Sequence, residues 1–192
     1  QLPWSLRCTC GGSARMAVFY KVTTATSEPA SYTFTWSGTG GEQALGGIIR
    51  YSGVDTSNPI DGFSVAQGAS TAPTAPAYTT TVANTRVVRL FGANGTDNAG
   101  SYPSGHSGRF NIESSNNAGA VNGGAADTTQ ASAGSTGTAS FSLSASQNWR
   151  AMTLAVRGAP TLGSVTAGHW ELRVDQSGSG GNDLNAIGIR AH

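Results

Sequence analysis

The sequence predicts an all-β chain: a two-sheet antiparallel sandwich of jelly-roll type with little or no helix. Three observations carry this. Tyr32, Phe34 and Trp36 alternate with Thr33 and Thr35, a period of two built from aromatic and β-branched residues, as a strand with one buried face requires. Every apolar run is short and bounded by Gly, Pro, Ser or Asn, residues that supply turns. No window of about 11 residues repeats its apolar positions at helical spacing without Gly or Pro interrupting, so helix is limited to a turn or two.

Met16, Val18, Tyr20 and Val22 share the two-residue period, and Thr26-Ser27-Glu28-Pro29-Ala30 carries turn chemistry, so residues 16–22 and 32–36 are expected to pair antiparallel. Further strands are expected at Gly47 to Tyr51, Thr85 to Phe91, Ala139 to Ser144, Trp149 to Arg157 and Trp170 to Val174. Such short strands, joined by irregular loops, suit two sheets packed face to face. Ser64 to Thr81, with Pro73 and Pro76, and Ala93 to Ser135, rich in Gly, Asn, Ser, Thr and Ala, read as long loops. Loops of that length are usually functional or mobile. Within the second, Asn111 to Val121 and Asp127 to Ala133 carry at most a weak edge strand. The pattern stops at Pro160 and restarts at Trp170. Residues 1–158 are therefore expected to form the module, and 159–192 a linker and C-terminal strands that pack on it or on a partner chain.

Only 11% of the 192 residues are charged, and Lys21 is the single lysine beside ten arginines. These are scattered along the chain at a net charge of +1, which argues against nucleic acid as a partner, since that requires a basic stripe. No apolar run reaches about 18 residues, so no membrane span is expected. No charged segment followed by an apolar stretch opens the chain, so any signal peptide is expected to have been removed or to lie outside it. In an extended backbone Cys8 and Cys10 would stand about 6.6–6.8 Å apart at Cα, near the upper limit for a bridge. Two thiols do not enclose zinc either, and both are read as free.

Four blocks carry a resemblance: Ala17-Val18-Phe19-Tyr20-Lys21-Val22; Ser27-Glu28-Pro29-Ala30-Ser31-Tyr32-Thr33-Phe34-Thr35-Trp36; Ile48-Ile49-Arg50-Tyr51-Ser52-Gly53-Val54-Asp55 with Asn58-Pro59-Ile60-Asp61; and Trp149-Arg150-Ala151-Met152-Thr153-Leu154-Ala155-Val156-Arg157. Over roughly residues 4 to 158 the chain resembles a β-sandwich module of large secreted or surface-displayed bacterial proteins. The resemblance implies an extracellular or cell-surface location and an adhesive, binding or architectural role. Such modules carry further strands before the position of Trp4, and Arg7-Cys8-Thr9-Cys10 lacks the apolar alternation expected there, so the sheet is expected to have an open edge through which a homodimer can form. The tail, Trp170 to Asp175 and Asn182 to His192, is similar to the start of a second surface-protein segment.

The chemistry-bearing residues lie in loops. Asp175, Asn182 and Asp183 surround a glycine-rich stretch of the kind that holds a hard, oxygen-liganded cation, calcium above all. Gly178 to Asp183 matches the calcium repeat G-G-x-G-x-D at its first, fourth and sixth places and misses the second; the alternative is a solvated hairpin loop. Asp55 and Asp61 flank Thr56-Ser57-Asn58-Pro59-Ile60, either a turn in which Asp and Asn bond their own backbone or a second cation loop. Asn94-Gly95-Thr96-Asp97-Asn98 is another oxygen-rich loop. Gly105-His106-Ser107-Gly108 falls short of a nucleophile elbow because Arg109 stands where Gly is required. His106 with Ser104 or Ser107, its imidazole oriented by Asp97 or Asp127, is nonetheless the catalytic candidate. His169 and His192 make no metal pair by spacing. Tyr51, Tyr78 and Tyr102 are loop aromatics on which a sugar can stack, whereas Trp36, Trp149 and Trp170 read as core.

The first expectation is thus an extracellular bacterial surface, adhesive or binding module stabilised by calcium, with a cell-surface or extracellular ligand, carbohydrate among the candidates. The second is a small calcium-dependent hydrolase of esters or lactones using His106, and the third a carbohydrate-binding module.

Overall fold

All regular structure among the described residues is β. The computed structural model describes residues 14–23, 30–34, 43–95, 100–114 and 120–160, together with the backbone of three outlying strands. In chain order the strands are β1 (Ser5–Cys10), β2 (Met16–Tyr20), β3 (Ile60–Ser70), β4 (Thr74–Ala75), β5 (Thr79–Thr80), β6 (Thr85–Asn94), β7 (Ser107–Glu113), β8 (Val121–Gln130), β9 (Gly134–Ser135), β10 (Ala139–Ser140), β11 (Gln147–Arg157), β12 (Trp170–Val174) and β13 (Ile187–Ala191). Five of them form one antiparallel sheet in the order β3-β11-β6-β8-β7, and the rest make two-stranded pairs, β1 with β2, β4 with β10, β5 with β9 and β12 with β13.

The five-stranded sheet is apolar on both faces, and its register sorts the side chains. Trp149, Ala151 and Thr153 of β11 stand opposite Ala93, Phe91 and Arg89 of β6. On that face Phe91, Ala93, Ala126, Trp149 and Ala151 pack under Ala75, Phe141 and Leu143, so the β4–β10 pair and the chain after it are the cover. The opposite face carries Val88, Met152, Leu154 and Val156, covered by Met16 and Val18 of β2 and by Ile49, Tyr51 and Val54 of an irregular segment. Being covered on both sides, β11 is buried without a break from Trp149 to Val156, and the alternation of a half-buried strand disappears.

Aromatic rings take the place of side chains over several glycines. A Cβ on Gly68 would stand 2.5 Å from Trp149, one on Gly62 2.1 Å from the Tyr78 hydroxyl, one on Gly108 2.2 Å from Tyr102, and one on Gly47 2.5 Å from Phe110. A ring laid across a strand glycine restores the packing that the missing side chain forfeits. In β8 backbone closes the space as well as a ring: a Cβ on Gly124 would meet the Phe91 ring at 2.7 Å and the Phe110 carbonyl at 3.1 Å. Gly124→Ala is therefore expected to lower stability by about 1–3 kcal/mol, as overpacking a closed core does. A urea midpoint equal to wild type would contradict the packing described.

Several sequence expectations are corrected. Residues 32–34 form no strand, and the ladder partner of β2 is β1; Thr35 and Trp36 lie outside the described residues. Gly47 to Tyr51 is irregular too, although Ile49 and Tyr51 point into the core while Ile48 is exposed, so the inward alternation holds without a ladder. Two segments expected as loops are strands. β3 ends at Ser70, before the prolines that argued against it, and its face toward Tyr78 and Trp149 is built of small residues because those rings fill the space. β8 lies between β6 and β7 inside the sheet, with Asn122 to Asp127 buried in succession. Its Gly123-Gly124-Ala125-Ala126 core carries no β-propensity signal, since the neighbouring strands supply the bulk.

Candidate functional site

Arg89 and Asp127 are buried on opposite faces of the sheet, and each gathers polar partners. On the first face Arg89, 1% exposed, spends all five of its N–H groups. Nε donates to His106 Nε2 at 3.3 Å, Nη1 to the Thr153 hydroxyl at 2.6 Å and the Pro76 carbonyl at 3.3 Å, and Nη2 to the Thr136 and Gly137 carbonyls at 2.8 and 3.1 Å. The Thr153 hydroxyl in turn donates to the Pro76 carbonyl. Among the described residues no carboxylate pairs with Arg89. Burial pulls its pKa down to about 10, which still leaves the guanidinium charged at neutral pH. Its compensation comes from carbonyl and hydroxyl dipoles.

His106 belongs to this knot. Its Nδ1 lies 2.9 Å from the Ser104 carbonyl, which can only accept, so the ring proton sits on Nδ1 and Nε2 is the acceptor for Arg89. Among the described residues no hydrogen bond joins His106 to a serine hydroxyl or to a carboxylate. Ser104 offers its carbonyl, and Ser107 opens β7. Asp127, expected to orient the imidazole, is corrected: its register neighbour in β6 is Val88, not Arg89, so its side chain points to the opposite face. Asp97 lies outside the described residues.

On the second face the Asp127 carboxylate, with no exposed side-chain surface, is clasped by Arg109 through Nε to Oδ2 at 2.6 Å and Nη2 to Oδ1 at 2.7 Å. The Tyr51 hydroxyl donates to Oδ2 at 2.6 Å. Arg86 stands 3.6 Å from Oδ1 and donates to the Thr129 hydroxyl at 2.9 Å. Burial by itself would raise the Asp127 carboxyl, but the hydrogen bonds from Arg109 and Tyr51 and the charges of Arg86 and Arg109 outweigh it and hold the pKa below the usual carboxylate range. Burial, then the bond to Asp127 and its charge, push the Tyr51 phenol well above its ordinary value.

This cluster opens onto a cleft of about 370 Å³ whose lining includes four arginines, Arg50, Arg86, Arg109 and Arg157, and no carboxylate among the described residues. Close backbone approach shapes its wall: Asn84 sits in the left-handed region at φ 56°, and a Cβ on Gly158 would stand 2.7 Å from the Asn84 carbonyl. Arg157 is paired with Asp61, Nη2 to Oδ1 at 2.8 Å. Asp61 also accepts from the Thr81 amide at 2.8 Å and from the Thr81 hydroxyl. Burial opposes ionisation of Asp61, but Thr81 and Arg157 outweigh it, and its pKa too is lowered. Chemically the cleft offers guanidinium donors and a positive field, which suit an anion.

The remaining expected site residues are dispersed. Asp55 caps its own turn, Oδ1 accepting from Ser57 and Asn58 at 2.9 and 3.1 Å, so Asp55 and Asp61 spend their carboxylates on separate partners. No group of three or more His, Cys, Asp or Glu gathers among the described residues. Tyr78 donates to the Asp61 carbonyl at 3.0 Å, and half-exposed Tyr102 lies edge-on to Phe141 at 6.5 Å. With Tyr51 across the sheet, the three tyrosines make no common platform. Trp149 is buried, as expected of a core residue, and its indole donates to the Ser70 hydroxyl at 3.0 Å. Asp175, Asn182, Asp183, His169, His192 and the side chain of Trp170 lie outside the described residues, as do the side chains of Cys8 and Cys10.

Sequence reasoning missed Arg86, Arg89, Arg109 and Arg157. For Arg89 a signal existed, a lone charge inside Val87-Val88-Arg89-Leu90-Phe91, because a charge in a buried strand must find partners. Compared with known proteins, the chain matches no family model, no curated protein and no solved structure.

Proposed function

We propose that this chain is an extracellular β-sandwich module, of jelly-roll kind, from a bacterial surface protein, and that its work is binding. One observation supports this best: the arginine-lined cleft on a sheet covered on both faces, where charged side chains meet the outside on a scaffold held by buried polar knots. A binding surface benefits from such rigidity, since less ordering remains to be done when the ligand arrives. The likeness of the four sequence blocks to secreted modules agrees with a place outside the cell. In this reading calcium belongs to the tail loop of Asp175, Asn182 and Asp183 and serves stability. The outer strands of the sheet, β3 and β7, are the edges through which a second copy would pair.

The test is adhesion of the fluorescently labelled chain to extracellular polysaccharide and to cell surfaces, run beside an assay with chromogenic esters and lactones. Saturable adhesion without turnover is the expected result. Turnover lost both in His106→Ala and with chelator would replace the proposal with a calcium-dependent hydrolase. A chelator-induced fall in melting temperature without turnover marks calcium as structural.

A further inference from the structure

We infer that the arginine-lined cleft binds a carboxylate-bearing sugar ring of an acidic glycan, an assignment that rests on the chain being a binding module. Arg50, Arg86, Arg109 and Arg157 are spread over the sequence and converge here only through the fold. Three of them, Arg86, Arg109 and Arg157, share two carboxylates, Asp127 and Asp61, which are fully buried behind them. The three arginine side chains are partly exposed, at 38%, 35% and 28%, and line the cleft, whereas the two carboxylate side chains expose no surface and are not part of the lining. Arg86 is the least committed of the three: among the described residues it donates one hydrogen bond, to Thr129, and approaches Asp127 no closer than 3.6 Å. Its planar fork therefore keeps donors for a ligand, and a carboxylate is the group that such a fork meets with two parallel bonds.

The rest of the lining selects the body that carries the anion. Ile49, Val54 and Val156 give apolar contact, while Ser52, Asn84 and Thr129 give hydrogen-bonding groups. A sugar ring has both an apolar C–H face and a hydroxyl rim. At about 370 Å³ the cleft lies at the small end of ligand pockets, ~300–1,000 Å³, and takes a ring or two. A nucleic acid backbone needs a longer basic track than this.

The experiment is calorimetric titration of the whole chain with a galacturonate trimer, a neutral galactose trimer, inorganic sulfate and a single-stranded DNA oligomer. The galacturonate trimer is expected to bind, with affinity falling as salt rises. Arg86→Gln is expected to weaken it at least tenfold and Arg86→Glu to abolish it, in protein whose melting temperature matches wild type; should both variants melt early, Arg50→Gln at an exposed position takes their place with the same tenfold expectation. Unchanged affinity in those variants overturns the assignment. So does equal binding of the neutral trimer, or preference for DNA or for free sulfate. Binding of the neutral trimer, or surface adhesion with none of these probes bound, removes the acidic sugar and leaves the binding module standing; no adhesion and no titration signal removes both.

Discussion

Arg89→Met is expected to cost the protein at least about 3 kcal/mol, a large share of the ~5–15 kcal/mol that holds a domain together. Replacing a whole buried ion pair with apolar residues is often harmless, but here only the donor disappears. The His106 ring nitrogen, the carbonyls of Pro76, Thr136 and Gly137 and the hydroxyl of Thr153 would all lose a partner inside the protein. Orphaned buried groups cost ~1–3 kcal/mol each before relaxation, which reduces the sum. For a chain of this size the loss corresponds to a fall in melting temperature of roughly 6–12 °C. Arg89→Lys keeps the charge but offers three donors from one atom in place of five in a plane, and is expected to fall between the two. A methionine variant that melts at or above the wild-type temperature would show that the knot does not hold the loops.

The second large effect concerns Asp127. Asp127→Leu removes the acceptor for Arg109 and Tyr51 and leaves two arginines to find water; both are about one-third exposed, so they can, and the expected loss is roughly 2–3 kcal/mol. The same residue shapes the acid limb of stability. Its folded pKa is lowered, as is that of Asp61. A lowered carboxylate pKa contributes stability that is present above the unfolded value, ~3.9, and is lost as the pH falls through the folded value. Unfolding curves collected from pH 6 to pH 2 should therefore show stability dropping below about pH 4. The slope should become shallower in Asp127→Asn and again in the Asp61→Asn, Asp127→Asn pair. An identical acid limb in the double variant would mean that these ion pairs contribute nothing.

The strands most legible in the sequence are those whose own side chains fill the core. β6 and β11 announce themselves through Val87, Val88, Phe91, Met152 and Leu154, whose burial depends on their own bulk. β8 stays hidden for the opposite reason: its glycines leave room for the Phe91 ring and for the backbone of the flanking strands, and periodicity scores what a strand contributes and not what it receives. Ile49 and Tyr51 show an intermediate case, alternation that correctly marks the inward side chains of a segment without a ladder. The site was less legible than the fold. Arg86, Arg109 and Arg157 become neighbours only after β6, β7 and β11 are placed, and no local spacing encodes that. His106 drew notice as a histidine beside serines, yet its ring nitrogens are set by Arg89 and by the Ser104 carbonyl. Asp127 was noticed too, for the wrong face, because assigning a side to it required the strand that composition concealed.

The rings seated over glycines bear on how such a chain can change over time. Where Trp149 lies across Gly68 or Phe91 beside Gly124, one volume is shared by two positions on adjoining strands. Neither partner can grow alone, but a trade in which one shrinks as the other enlarges preserves the total. Descendants of this molecule would then keep the same backbone while exchanging large and small residues between neighbouring strands, so that kinship persists in paired substitutions more than in conserved letters.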